Sequence, residues 1–200
     1  ETTFLQNIMG LWLVQESRRQ FKREGSDLSY AELEQLALEA QPFKCFINPN
    51  HESFESPGDL PSRIREFCKD TNQPIPTTIG EVMRCIYESI ALEYANSLMQ
   101  ISNVTSKKYD AIHIIGGGTK DEFLCQLAAD ACRIKVVAGP IEATAIGNIS
   151  TALIALGEIS DKSQARQMIR DNENVKTFIP QDSLDWERAF DEYISVINSE

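Results

Sequence analysis

Two hundred residues, 42% hydrophobic and 24% charged, have the material for a core and fit one domain or one large lobe of a bigger protein. The formal net charge is −11 and the basic residues are scattered, at most in pairs such as Arg18–Arg19 and Lys107–Lys108. That excludes a basic surface for nucleic acid, and no apolar run approaches the roughly 20 residues needed to span a bilayer.

The opening ETTFLQNIMG has no initiator Met and no basic-then-apolar leader, so the chain reads as a piece of a longer, cytoplasmic protein. From Leu5 to about Phe21, the residues Leu5, Ile8, Met9, Trp12 and Leu13 fall at helical spacing and predict an amphipathic helix. Asn7 at its start and Gln15 beside its apolar stripe are polar interruptions, of the kind a half-exposed side chain supplies. Gly25–Ser26–Asp27 breaks the chain. Ser29 and Glu32 have capping-box spacing and open a helix to about Leu38. Pro42 to Ile47 (PFKCFI) alternates enough for a strand, and Asn48–Pro49–Asn50 then turns the chain. The loop that follows, to Pro61, holds His51 in solvent. A helix over Ser62 to Thr71, a linker over 72–76 and a second capping box, Thr78 with Glu81, lead into the longest helix. That helix runs to about Ile101 or Val104, on the order of 35 Å.

The stretch from Tyr109 to Asn148 organises the rest. Ala111 to Ile115 predicts a strand buried on both faces, ending at Gly116–Gly117–Gly118. Three glycines let a ligand approach the backbone, and Thr119 with Glu122 has the spacing to cap a helix behind them. Such a turn suits an anion such as a phosphate, although a plain strand-to-helix turn uses glycines equally well. Ile134 to Val137 predicts a strand and Ala138–Gly139–Pro140 a turn. Glu142 to Leu156 predicts a helix of small residues closed by Gly157. A short helix over Asp161 to Arg170, a strand over Val175 to Ile179 and an amphipathic helix from Ser183 to Ile197, using Leu184, complete an α/β chain. The five cysteines contain no CxxC pair, and His51 and His113 are far apart, so the spacing offers no zinc site and free thiols are expected.

Taken together, NIMGLWLVQ at 7–15, FINPN at 46–50, IHIIGGGTKDEFLCQLAADAC at 112–132 and VVAGPIEATAIGNI at 136–149 resemble the C-terminal part of the FGGY carbohydrate kinases. The resemblance covers nearly the whole chain and weakens toward its end; it sits closest to the members acting on L-rhamnulose. It implies a two-lobed actin-like ATPase fold whose ribonuclease-H-like α/β lobes close on sugar and ATP. Residues 1–200 would be the nucleotide-side lobe, and the N-terminal lobe would lie outside this chain. The implied activity is ATP- and Mg²⁺-dependent phosphorylation of L-rhamnulose at its 1-hydroxyl. By the same resemblance Asn7 matches a sugar-contacting Asn, Gln15 a Gln at the ATP site and Gly117 an ATP-binding glycine, with Gly116 and Gly118 as flanking backbone. The Asp base of the family belongs to the first lobe, which leaves Asp121 as a first-turn helix residue. The resemblance also implies a disulfide at positions matching Cys68 and Cys85. A second pair of the family cannot form, because its first member is Ala128, leaving Cys132 alone.

Sister kinases for xylulose, fuculose or ribulose would share these motifs, as would a non-catalytic nucleotide-binding regulator of the same fold. A Rossmann dinucleotide enzyme fits less well, since GGGTKD departs from GxGxxG at its third glycine.

Overall fold

The computed structural model describes residues 5–172, 175–181 and 185–199. The helices are α1 (Trp12–Arg23), α2 (Tyr30–Glu39), α3 (Leu60–Asp70), α4 (Ile79–Thr105), α5 (Glu122–Cys132), α6 (Ala143–Leu156), α7 (Lys162–Asn172) and α8 (Trp186–Ile197). The strands are β1 (Ala111–Ile114), β2 (Lys135–Ala138) and β3 (Lys176–Phe178).

Helix α4 is the axis. Residues 82–93 are buried without a break, so its N-terminal half is covered on every side. α1, α2, α5 and α8 all pack on it. Both capping boxes form: the Ser29 hydroxyl accepts from the Glu32 amide and the Thr78 hydroxyl from the Glu81 amide, with each glutamate reaching back. Asp59 caps α3, with Pro61 in its first turn, where a missing N–H costs nothing.

β1 and β2 are parallel, Ala111 facing Lys135 and Ile114 facing Ala138. β3 adds antiparallel to β2, giving the order β1-β2-β3. α5 lies between this sheet and α4. Its Leu124 and Leu127 join the large core, while Cys125, Ala128 and Ala129 meet Val136 and Ala138 on the sheet.

Four expectations are corrected. The first helix begins at Trp12, not Leu5: residues 5–10 are not helical, and Leu5 is 88% exposed. The segment before it is tied down by side chains instead, with the Met9 amide donating to Asn50 Oδ1 at 2.8 Å. Residues 42–47 form no strand, because their backbone donors find side chains. The amides of Phe43, Phe46 and Ile47 donate to Glu88 Oε2, Gln73 Oε1 and Ser89 Oγ at 2.9, 2.7 and 2.9 Å. β1 is not buried on both faces: Ile112 and Ile114 pack toward α5, while His113 is exposed. His51 is half-buried rather than solvated, its ring edge-on to Phe67 and Nδ1 2.8 Å from Ser53 Oγ. Of the predicted final helix, Ser183 and Leu184 lie outside the described residues. No helix among the described residues is long and apolar enough to cross a membrane.

Candidate functional site

The glycine turn follows β1 as one short 3-10 turn, Gly116–Lys120. Gly116 has φ +77°, a conformation that only glycine adopts freely. Its amide donates to the Pro140 carbonyl at 3.2 Å, and the Gly139 amide returns a bond to Ile114 O at 2.9 Å, locking the turns after β1 and β2 together. A methyl group placed on Gly117 would meet no atom within 4 Å, whereas at Gly118 it would lie 3.5 Å from Ile114 Cγ2. Gly117 is thus the glycine whose outer face is open.

The cap of α5 differs from the sequence expectation. The Thr119 hydroxyl is already committed to the Gly116 carbonyl at 2.7 Å. Asp121 caps instead: its Oδ1 accepts from the Leu124 amide at 2.9 Å and its Oδ2 from the Tyr87 hydroxyl at 3.0 Å. Burial pushes the Asp121 carboxyl upward and the two donors pull it back. Tyr87 is pushed up as well, by burial first and the Asp121 charge second. Both oxygens of Asp121 are occupied by structural bonds, which suits a cap rather than a base.

Facing this turn are α1 and α2. Leu11, Val14 and Gln15, with Tyr30 and Glu34, enclose a cleft of about 290 Å³ whose other wall is Gly117, Lys120 and Asp121. Gln15 and Gly117, remote in sequence, therefore line one cavity, Gln15 with its side chain exposed. Arg18 stacks over the Tyr30 ring at 4.9 Å and donates to Leu28 O at 2.6 Å, steadying the entry to α2. Burial, then the charges of Asp121 and Glu122, push the Glu34 carboxyl upward. The cleft carries one cation and two carboxylates, so an anion here depends on backbone donors and a bound cation rather than on basic side chains.

Gly116 and Gly118 flank this wall as backbone. Asn7 is exposed and does not line the cleft. Its neighbours fix its position: Gln6 Nε2 donates to Glu93 Oε1 at 3.3 Å, and Met9 is held through Asn50. Asn50 also donates to Glu93 Oε1 at 3.2 Å, so the FINPN loop, the segment before α1 and α4 meet at one carboxylate. Tyr30, Glu34 and Lys120 were missed as cleft residues. Only Lys120 had a signal, its place two residues past the glycines; Tyr30 and Glu34 arrive by helix packing.

The model of the FGGY family of carbohydrate kinases, C-terminal domain, matches residues 1–156. The chain belongs to the FGGY family of carbohydrate kinases. It is 40% identical over 186 residues to the rhamnulokinase of Bacteroides thetaiotaomicron, covering 93% of this chain and 38% of that protein. To the rhamnulokinase of Bacillus subtilis it is 41% identical over 179 residues, covering 90% and 36%. The FGGY chain thus spans a little over a third of the length of these relatives.

Among solved structures it superposes on a ligand-bound xylulose kinase from Lactobacillus acidophilus with TM-score 0.64 and 16% identity, covering 96% of this chain and 38% of that one. A glycerol kinase from Plasmodium falciparum with ADP gives TM-score 0.62 and 13% identity, covering 94% and 36%. At such identity these show the fold alone, the ribonuclease-H-like α/β lobe of the actin-like ATPase sugar kinases.

Proposed function

We propose that this chain is the nucleotide-side lobe of a cytoplasmic kinase that transfers the γ-phosphoryl group of ATP to the 1-hydroxyl of L-rhamnulose. The observation that carries the reading is the convergence of Gln15 and Gly117 on one cleft. Phosphoryl transfer asks a protein mainly for positioning and charge stabilisation. In this reading the open face of Gly117 admits the nucleotide phosphates to the backbone, with Gly116 and Gly118 as its flanks, and Gln15 contacts the nucleotide from α1. Lys120 adds the one positive side chain that lines the cleft among the described residues.

The cleft residues fit a nucleotide and offer no cage for Mg²⁺. Asp121 is occupied, leaving Glu34 as the remaining carboxylate, so Mg²⁺ would come with the nucleotide and would supply neutralisation of phosphate charge. Asn7 is assigned to the sugar edge, held by the Gln6, Asn50 and Glu93 bonds. The base that takes the sugar proton is assigned to the N-terminal lobe, and no residue of this chain is given that role. The rhamnulokinase relatives support L-rhamnulose as the sugar.

The test is coupled ADP release by the full-length protein with ATP, Mg²⁺ and a panel of ketoses. Turnover on L-rhamnulose far above xylulose, fuculose and ribulose is expected. ATP binding without turnover on any sugar would replace the kinase with a nucleotide-binding regulator.

A further inference from the structure

Outside the cleft, the densest group of reactive side chains is sulfur. Cys45 in the loop after α2, Cys68 on α3 and Cys85 on α4 bring their Sγ atoms within 4.8 Å of one another. All three are free thiols with at most 2% exposure, inside the large apolar core. Three segments remote in sequence converge there, so spacing could not reveal the group. Among the described residues no histidine or carboxylate joins it.

Three sulfurs at about 2.3 Å from a central ion, arranged in a plane, stand about 4 Å apart. The observed triangle needs to contract by less than about 1 Å to reach that spacing. A structural zinc site wants four ligands, and an apolar core supplies no fourth. Thiolate sulfur selects soft ions such as Cu(I). A disulfide would engage two of the three and strand the third.

We propose that Cys45, Cys68 and Cys85 form a buried, all-sulfur, three-coordinate site for one soft, thiophilic metal ion of the Cu(I) kind. Binding releases the thiol protons to solvent and ties the 42–47 loop, α3 and α4 to one centre. It acts as a staple, separate from the cleft chemistry.

The test uses the chain prepared without oxygen and titrated with Cu(I) against a chromophoric Cu(I) chelator, followed until uptake is complete because the sulfurs are closed to solvent. One equivalent per chain is expected, with a higher melting temperature on loading. Cys68→Ser and Cys85→Ser should each weaken uptake by at least about tenfold, since even outer partners of a metal cost that much. Cys132→Ser should leave it unchanged. X-ray absorption at the copper edge of the unmutated chain decides the matter without relying on variants: three sulfur neighbours support the site. Nitrogen or oxygen neighbours, undiminished uptake in the triple serine variant, failure to compete with the chelator, or a disulfide among the three in the oxygen-free chain each overturn it.

Discussion

Substituting Gly80 by alanine sets two opposing forces against each other at the crossing of α2 and α4. Gly80 lies in the first turn of α4, against the C-terminal half of α2. A Cβ there would sit 2.4 Å from the Leu36 carbonyl oxygen and 3.0 Å from its carbon, where ordinary contact begins at 3.4 Å. The obstacle is backbone, so no rotamer relieves it and α2 must retreat by about 1 Å. That retreat lengthens the bonds from Arg84 Nη1 to the Ala37 and Leu38 carbonyls, now 3.1 and 3.3 Å, which close the end of α2. Overpacking of this severity costs about 3 kcal/mol, while alanine's better helix propensity returns at most about 1. The net loss is about 2 kcal/mol, a fall of about 4–8 °C in melting temperature for a chain of this size. Thermal unfolding followed by circular dichroism reads it directly. Gly147→Ala in α6, where an added Cβ meets nothing within 4 Å, is the control and should stabilise α6 by up to about 1 kcal/mol. A Gly80→Ala chain as stable as its parent would refute the close crossing, because propensity would then be acting alone.

Gly117→Asp in the full-length protein should weaken ATP binding at least about tenfold through lost backbone approach and added negative charge, measured by nucleotide titration. Its melting temperature should hold, since nothing surrounds that position; unchanged affinity would remove Gly117 from the site. Glu93 accepts from Gln6, Asn50, Asn96 and Tyr193, so Glu93→Gln turns an amide donor toward existing donors and should cost about 2–3 kcal/mol in urea unfolding despite its equal shape. Tyr193→Phe, which removes one of those bonds at 2.8 Å, should cost about 1 kcal/mol. Glu81 has its carboxyl held down to about 2, chiefly by Lys44 at 2.5 Å and then by the Thr77 amide. A lowered folded-state value means stability that is present above pH 4.5 and lost as pH falls toward 2. The full shift equals about 3 kcal/mol, which solvent screening at this half-open pair reduces to about 1. Glu81→Gln should flatten the acid limb of a pH–stability curve in that window.

What the sequence disclosed follows from where its signals are local. The two capping boxes, the long α4, the Gly157 stop and the order strand, glycine turn, helix, strand over β1, α5 and β2 are written in residues a few positions apart. The cap and stop bonds form within one turn of chain, so spacing suffices for them. The failures share the opposite cause. PFKCFI looks like a strand until Glu88, Gln73 and Ser89 take its amides from elsewhere. Leu5 to Gly10 continues a helical pattern, but bonds from Gln6 to Glu93 and from Met9 to Asn50 hold that segment outside the helix. Thr119 had the right spacing for a cap and lost to Asp121, because Thr119 turns back to Gly116 while Tyr87 braces the aspartate. In the cleft, Gln15 and Gly117 were readable as residues and through the family resemblance. Their companions Tyr30 and Glu34 arrive only when α2 packs on α4, and no pattern along the chain encodes that.

The double life of α5 bears on how the molecule opens. One of its faces belongs to the large core and the other to the small cluster on the sheet, while α6, with no buried residue, packs chiefly on α7. Cooperative opening should therefore occur in two tiers. Amides of α6 and α7 exchange with solvent through cheap local events, and those of α4 only through global unfolding. The cleft straddles that divide, its α1 and α2 wall on the slow tier and its Gly117–Lys120 wall at the rim of the fast one. A nucleotide seated there would couple the tiers. Hydrogen exchange would show this as protection spreading from the glycine turn into β1 and β2, over residues the ligand never touches.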